Sequence, residues 1–202
     1  MQVTVMATFL VCYGTSEGQT QTVAGRIASI LRRRDHDVTR VDLGAGPPDS
    51  PVASFDAVIV GASIHVGKHQ PAVTAFVRDH REALAGKPTG FFQLSLSSAV
   101  DDETRRAEAA NYAEAFVEET GLRPDRIGLF GGALRYSKYG FLKRLMMKRI
   151  AAAATGDTDT RRDYEYTDWA EVAAFANDFA AFVEGRLGVD TAPSDGDEQA
   201  DG

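Results

Sequence analysis

The sequence predicts an α/β protein, a doubly wound parallel sheet of five strands with helices on both faces. Two features predict it. Short apolar runs alternate with segments of helical period along most of the chain. Most of those runs are continuously apolar, as strands must be when helices cover both faces of the sheet. Crossovers between such strands are right-handed, and ligands bind beyond the carboxyl ends of the strands, at the switch point.

The elements follow in order. TFLVCY, residues 8–13, is a short run with enough bulky residues for a buried strand. Residues 20–34 place Val23, Ala24, Ile27, Ile30 and Leu31 at helical spacing. HDVTRVDL, residues 36–43, alternates and reads as the second strand, and GAGPPDSP after it forms a turn. AVIVGAS, residues 57–63, is a third, fully apolar strand. Residues 71–84 are helical, with Pro71 tolerated in the first turn. TGFFQLSL, residues 89–96, is the fourth strand, and 102–119 is a helix rich in alanine and glutamate. RIGLFGGAL, residues 126–134, is the fifth strand. Residues 168–184 form the last helix, with Thr167 as its expected cap. Beyond Val189 the chain is acidic and lacks large apolar residues. One domain over 1–187 and a disordered tail over 188–202 are therefore expected.

Composition narrows the function. A formal net charge of -7 argues against nucleic acid as a partner. The single cysteine, Cys12, cannot form an internal disulfide and reads as a small buried hydrophobe. No signal peptide and no membrane span are expected. The expected location is the cytoplasm, or the inner face of the cell membrane as a peripheral protein.

Three loops leave the carboxyl edge of the sheet. The first, GTSEGQT, enters a helix, whose N-terminus offers free N–H groups and partial positive charge. Thr15, Ser16, Gln19 and Thr20 add side-chain donors, and Gly14 and Gly18 let the backbone approach a ligand closely. With no lysine as in a Walker loop and no Gly-x-Gly-x-x-Gly, this reads as a cradle for a terminal phosphate monoester. An ordinary helix capped by Thr15 or Ser16 is the competing reading. The second loop carries Ser63, Ile64, His65, Val66 and Gly67; the third carries Leu94, Ser95, Leu96, Ser97 and Ser98. Alone, each is a plain connection; together they can wrap a flat heterocycle. His65 and His69 have no acidic partner at metal-ligand spacing, so no metal site is expected. A phosphate cradle with two ring-flanking loops suggests a flavin mononucleotide site.

TSEGQT resembles the flavodoxin phosphate loop, Thr/Ser-x-Thr-Gly-x-Thr, with Glu17 in place of the middle threonine. That loop holds phosphate by amides and hydroxyls, without a basic side chain. VIVGASIHVGKHQPAVTAFV, RPDRIGLFGGALRY, GDTDTRRDYEYTDW and VAAFA resemble the menaquinone-dependent protoporphyrinogen IX dehydrogenases, flavodoxin-fold enzymes of haem biosynthesis. In that branch an acidic residue also precedes the loop glycine, as Glu17 precedes Gly18. The match runs in order over residues 8–184, and His65-Val66 stands where this branch has Arg-Tyr. The resemblance implies a flavodoxin-like fold with an insert after strand five. It implies FMN held by Thr15, Ser16, Glu17, Gly18, Gln19 and Thr20 and by the two ring loops, with Asp159 and Thr160 added to the set. It also implies oxidation of protoporphyrinogen IX or a related tetrapyrrole, with electrons passed to menaquinone or another quinone. No residue stands out as a catalytic acid or base. A flavodoxin-type electron carrier and an FMN-dependent quinone reductase remain as alternatives.

The insert spans 135–165. Between Arg135 and Ile150 it carries Lys138, Lys143, Arg144, Lys148 and Arg149 and no acid, against the charge of the whole chain. Phe141, Leu142, Leu145, Met146 and Ile150 share a helical arc, while Met147 and Arg149 spoil the separation. Such a segment lies on an anionic membrane surface, meets an acidic partner, or is a solvated helix packed on the domain.

Overall fold

The computed structural model describes residues 5–99, 101–134, 147–148, 151–153, 155, 159 and 161–190. Its main sheet holds β1 (Thr8–Tyr13), β2 (Asp37–Asp42), β3 (Ala57–Ser63), β4 (Thr89–Ser95) and β5 (Arg126–Gly131) in the order β2-β1-β3-β4-β5. All four pairings are parallel. β3 lies at the centre, and β1 beside it is an inner strand, where Cys12 pairs with Val41 on one side and Val60 on the other.

Alternate residues of each strand feed two cores. Phe9, Val11, Ile59, Phe92 and Leu94 pack under α1 (Gln19–Arg32) and the long last helix, α5 (Trp169–Asp190). Leu10, Cys12, Val58, Val60 and Phe91 pack under α2 (Pro71–Asp79) and α4 (Glu103–Thr120). Both faces are covered, so β1, β3 and β4 are apolar at most positions, whereas β2, at the edge, keeps Asp37, Thr39 and Arg40 exposed. Cys12 is fully buried, and desolvation pushes its thiol well above the ordinary value, in keeping with a hydrophobe. Among the described residues, no helix is long and apolar enough to cross a membrane.

The structure departs from the sequence reading in four places. The expected helix over 71–84 breaks at His80 (φ -108°, ψ 15°) into α2 and a short α3 (Arg81–Ala85), with His80 Nδ1 2.9 Å from the Phe76 carbonyl. The expected fifth strand stops at Gly131. There a Cβ would stand 2.2 Å from the Tyr166 carbonyl oxygen, so the close approach demands glycine. Ala133–Leu134 then forms a short β6, antiparallel to β7 (Tyr164–Glu165), a ribbon the sequence reading did not contain. The last helix is capped by Asp168, whose Oδ1 accepts from Ala170 N (2.8 Å) and Glu171 N (3.3 Å). Thr167 instead turns inward, its hydroxyl donating to the Gly131 carbonyl at 2.8 Å. Finally, α5 continues to Asp190, with Leu187 against the first core, so residues 188–190 are helical. Residues 191–202 of the expected tail lie outside the described residues.

Candidate cofactor site

β1 and β3 are neighbours, yet the chain leaves them toward opposite faces of the sheet, which makes this edge the switch point. A cleft opens there. Its floor and walls come from the loops after β1, β3, β4 and β5.

The loop after β1 begins with Gly14 N donating to the Gly61 carbonyl at 3.0 Å. A Cβ on Gly14 would meet Val73 Cγ2 at 2.5 Å, so glycine here admits the start of α2. Gly18 is the residue that bends the loop. It sits at the N-cap of α1 with φ 94° and ψ -9°, a conformation open to glycine, and no side chain caps the helix. The Thr15 hydroxyl accepts from Gly18 N (2.9 Å), which lies ahead of the helix. The first intrahelical bond is Thr22 N to the Gly18 carbonyl at 3.1 Å. The amides of Gln19, Thr20 and Gln21 therefore precede the helical ladder. The first turn of α1 contains no acid. The reading of an ordinary helix capped by Thr15 or Ser16 does not hold, because Gly18 is the N-cap and no side chain caps the helix. Thr20 is 1% exposed and lines the cleft with Thr15, Ser16, Glu17 and Gln19. Gln19 ties this cradle to the far wall, its Nε2 donating to the Thr167 hydroxyl at 2.9 Å.

The loop after β3 contributes Ser63, Ile64 and His65 to the cleft. Ile64 N donates to the Leu94 carbonyl at 2.8 Å, which joins it to the β4 loop. Gln70 holds it to the phosphate cradle. Its Oε1 accepts from Ser63 N (3.1 Å), and its Nε2 donates to the hydroxyls of Ser63 (2.5 Å) and Ser16 (3.4 Å). The sequence reading did not single out Gln70. Its only signal was an amide placed just before the Pro71 that opens α2. Val66 and Gly67 form the outer tip of the loop, away from the cleft, with φ 51° and 74°.

From β4, Leu94, Ser95 and Leu96 line the cleft. Ser97 and Ser98 do not. The Ser97 hydroxyl donates to Glu108 Oε2 at 2.8 Å, and that bond, with help from Arg105 and Tyr112, holds the Glu108 carboxyl below the usual carboxylate range. Ser98 pairs with Ser95, hydroxyl to hydroxyl at 2.8 Å. Asp159 lies outside the cleft and accepts from Arg161 N at 3.0 Å; Thr160 lies outside the described residues.

Three cleft residues were absent from the predicted set: Gly132, Ala133 and Met147. Gly132 N donates to the Ser95 carbonyl at 2.9 Å, which folds the β5 exit over the β4 loop. Met147 is 7% exposed and packs with Leu134 and Ala151, beside Leu96, Tyr164 and Tyr166. In the sequence it spoiled an amphipathic pattern; in the structure it lines the cleft. The neighbouring Lys148 is exposed. Among the described residues, no cluster of side chains suits a metal ion.

Residues 10–161, most of the chain, match the family described as Flavodoxin domain. The chain belongs to the flavodoxin-domain family. Among curated flavodoxin-domain relatives, it is 36% identical over 177 residues to a protoporphyrinogen IX dehydrogenase (quinone) of Escherichia coli (strain K12), covering 87% of this chain and 96% of that protein. It is 34% identical over 175 residues to a protein of the same name from Leishmania major, covering 85% of this chain and 74% of that one. The branch read from GALRY and TDTR…YTDW is thus shown. The flavodoxin fold also appears in solved structures. The oxidised flavodoxin 1 of Bacillus cereus superposes with a TM-score of 0.51 at 15% identity, covering 87% of this chain and 98% of that one. A short-chain flavodoxin associated with a bacterial microcompartment gives 0.52 at 16%, covering 88% and 99%.

Proposed function

We propose that this protein is an FMN-dependent oxidoreductase that oxidises protoporphyrinogen IX or a related tetrapyrrole and passes the electrons to menaquinone or another quinone. The observation that carries the reading is the pairing of two facts. A cleft bordered by a helix start with no side-chain cap and no acid in its first turn sits at the switch point, and the chain matches dehydrogenases of that name along nearly the whole of the bacterial relative.

The residues fit the cofactor. The amides of Gln19, Thr20 and Gln21 and the hydroxyls of Thr15, Ser16 and Thr20 would hold the phosphate, with no basic side chain required. Ser63, Ile64 and His65 would flank the ring on one side, and Leu94, Ser95 and Leu96 on the other. Ile64, Leu96, Ala133 and Met147 present apolar surface that would exclude water from the ring. FMN held there would supply two-electron redox chemistry, and the six-electron oxidation of a porphyrinogen to a porphyrin would take about three such turnovers, each reducing one quinone. The chain orients that group and shields it. Met147 supports a further role for the insert. It lines the cleft, and the basic stretch to which it belongs in sequence, Arg135 to Ile150, would bring the cleft to an anionic membrane surface where quinone resides.

The test is direct. Purified protein loaded with FMN is mixed with protoporphyrinogen IX and a menaquinone analogue, and porphyrin fluorescence is followed against autoxidation controls. Quinone-dependent porphyrin formation is expected. A rate equal to autoxidation overturns the reading and leaves a flavodoxin-type carrier in its place.

A further inference from the structure

A second opening lies beside the cleft, a groove between α2 and α4 whose walls include Lys68, His69, Arg78, Tyr112 and Phe116. One short turn separates the two openings: His65 lines the cleft and Lys68 lines the groove. Main-chain bonds close that turn, His65 N to the Lys68 carbonyl at 2.8 Å and Lys68 N to the His65 carbonyl at 3.2 Å. At its crest Val66 has φ 51° and is 67% exposed. A β-branched residue is rarely held there, and strain of this kind collects at ligand clamps. An exposed apolar side chain on a strained turn between two openings adds nothing to the core.

The groove has a defined polarity, and a buried amide sets it. The side chain of Gln93 is fully buried. Its Nε2 donates to the Ala109 carbonyl at 2.9 Å, so its Oε1 is the atom 2.9 Å from His69 Nε2. A carbonyl oxygen only accepts, so His69 Nε2 carries the hydrogen. Burial holds the imidazole below its ordinary value, which keeps it neutral near pH 7. Nδ1 then bears a lone pair. The ring is fixed against Phe116, with centroids 4.7 Å apart, and Phe91, at 6.0 Å. The Arg78 charge is met by Glu119 at 2.9 Å. Lys68 is exposed and has no ion-pair partner among the described residues. The groove thus offers an aromatic wall, one neutral acceptor and one unmatched cation.

We infer that the groove is a subsite for one pyrrole edge of a carboxylate-bearing tetrapyrrole, with Lys68 at the carboxylate, His69 Nδ1 accepting from a pyrrole N–H, and Val66 against the macrocycle. The inference rests on the proposed function. It adds where the substrate is gripped, and it explains why the strained turn stands between groove and cleft: a macrocycle broader than the turn touches both. One cation, one neutral acceptor and an aromatic wall match an acid and an N–H donor carried on one ring-bearing molecule.

The test uses the FMN-loaded protein and two probes in detergent micelles, protoporphyrin IX and its dimethyl ester, titrated by porphyrin fluorescence. The unaltered protein should bind the acid more tightly than the ester. Lys68→Gln should weaken the acid about fivefold, the upper range for a partly exposed ion pair, and leave the ester unchanged. His69→Phe keeps the ring packing with Phe91 and Phe116 and should raise the KM for protoporphyrinogen IX, whose methylene-bridged pyrroles can tilt an N–H toward the ring, about two- to tenfold, while sparing the planar probes, whose N–H groups point into the macrocycle. Should that variant fail to fold, the Lys68→Gln and ester comparisons decide alone. Equal binding of acid and ester by the unaltered protein, unchanged binding in Lys68→Gln, or no saturable binding overturns the subsite. The oxidation assay separates the two claims. No protoporphyrinogen oxidation by the unaltered protein sinks the function, whereas oxidation with an unchanged KM in Lys68→Gln sinks only the groove.

Discussion

Replacing Gln70 with leucine tests whether the two halves of the cofactor site are held as one. The side chain makes two close bonds to Ser63, at 3.1 and 2.5 Å, and a longer one of 3.4 Å to the exposed Ser16. Leucine fills a similar volume and removes all three. A typical net contribution is about 1 kcal/mol per well-formed bond, so the two bonds to Ser63 amount to about 2 kcal/mol and the third adds little. Where this energy is lost decides the outcome. The loop after β3 lies at the surface, while the cores beneath it are built from Val73, Phe76 and Val77 and are untouched by the change. The loss should therefore fall on ordering of the loop around the flavin. At about 1.4 kcal/mol per tenfold, FMN affinity should drop by up to about 30-fold, with only a small change in the melting temperature of the flavin-free protein. Riboflavin should weaken in parallel, because Gln70 fixes the ring loop as well as the cradle. Quenching of flavin fluorescence measures both ligands. FMN affinity within twofold of the unaltered protein, or a large fall in melting temperature with affinity preserved, would refute the reasoning.

Other expectations separate the parts of the site from the scaffold. Thr20→Val should weaken FMN but not riboflavin, by about 1.5–3 kcal/mol for a bond to a charged group; equal weakening of both would show that Thr20 only supports the fold. Glu184 accepts from Arg34 at 3.0 and 2.8 Å and lies 3.0 Å from His36 Nε2. The Arg34 bonds first, then His36, hold its carboxyl below the ordinary 4.5. Because the folded pKa is depressed, this stabilisation is complete above 4.5 and fades as pH falls through the lower folded value. Glu184→Gln should accordingly lower the melting temperature at pH 7 by the equivalent of about 1–2 kcal/mol, and the gap should close in acid; a gap independent of pH would contradict the pairing. Replacing Lys143, Arg144 and Lys148 together with glutamine should weaken binding to anionic vesicles, most at low salt, at about 1 kcal/mol per charge. Flavin affinity should persist, and vesicle binding like that of the unaltered protein would show these charges to be a solvated face.

By itself the sequence determined the five-stranded parallel sheet and the position of its ligand edge. Predominantly apolar strands such as AVIVGAS and TGFFQLS are stable only between two helical layers, and that demand is written into most positions of β1, β3 and β4. The cradle after β1 was equally legible, because glycine and hydroxyl residues at a strand-to-helix joint act locally. The tertiary structure decided what depends on residues far apart in the chain. Thr167 had the right place for a helix cap but was drawn inward by Gly131 and Gln19, leaving the cap to Asp168. Ser97 left the cleft for Glu108, and Gln70 joined two loops that no local pattern connects. Met147 broke a helical arc in one dimension and completed a cleft wall in three. The tautomer of His69 depended on the orientation of Gln93, which depended on one carbonyl of α4. Periodicity reports which way a side chain faces its own element; hydrogen bonds between distant segments are chosen only when packing brings donors and acceptors together.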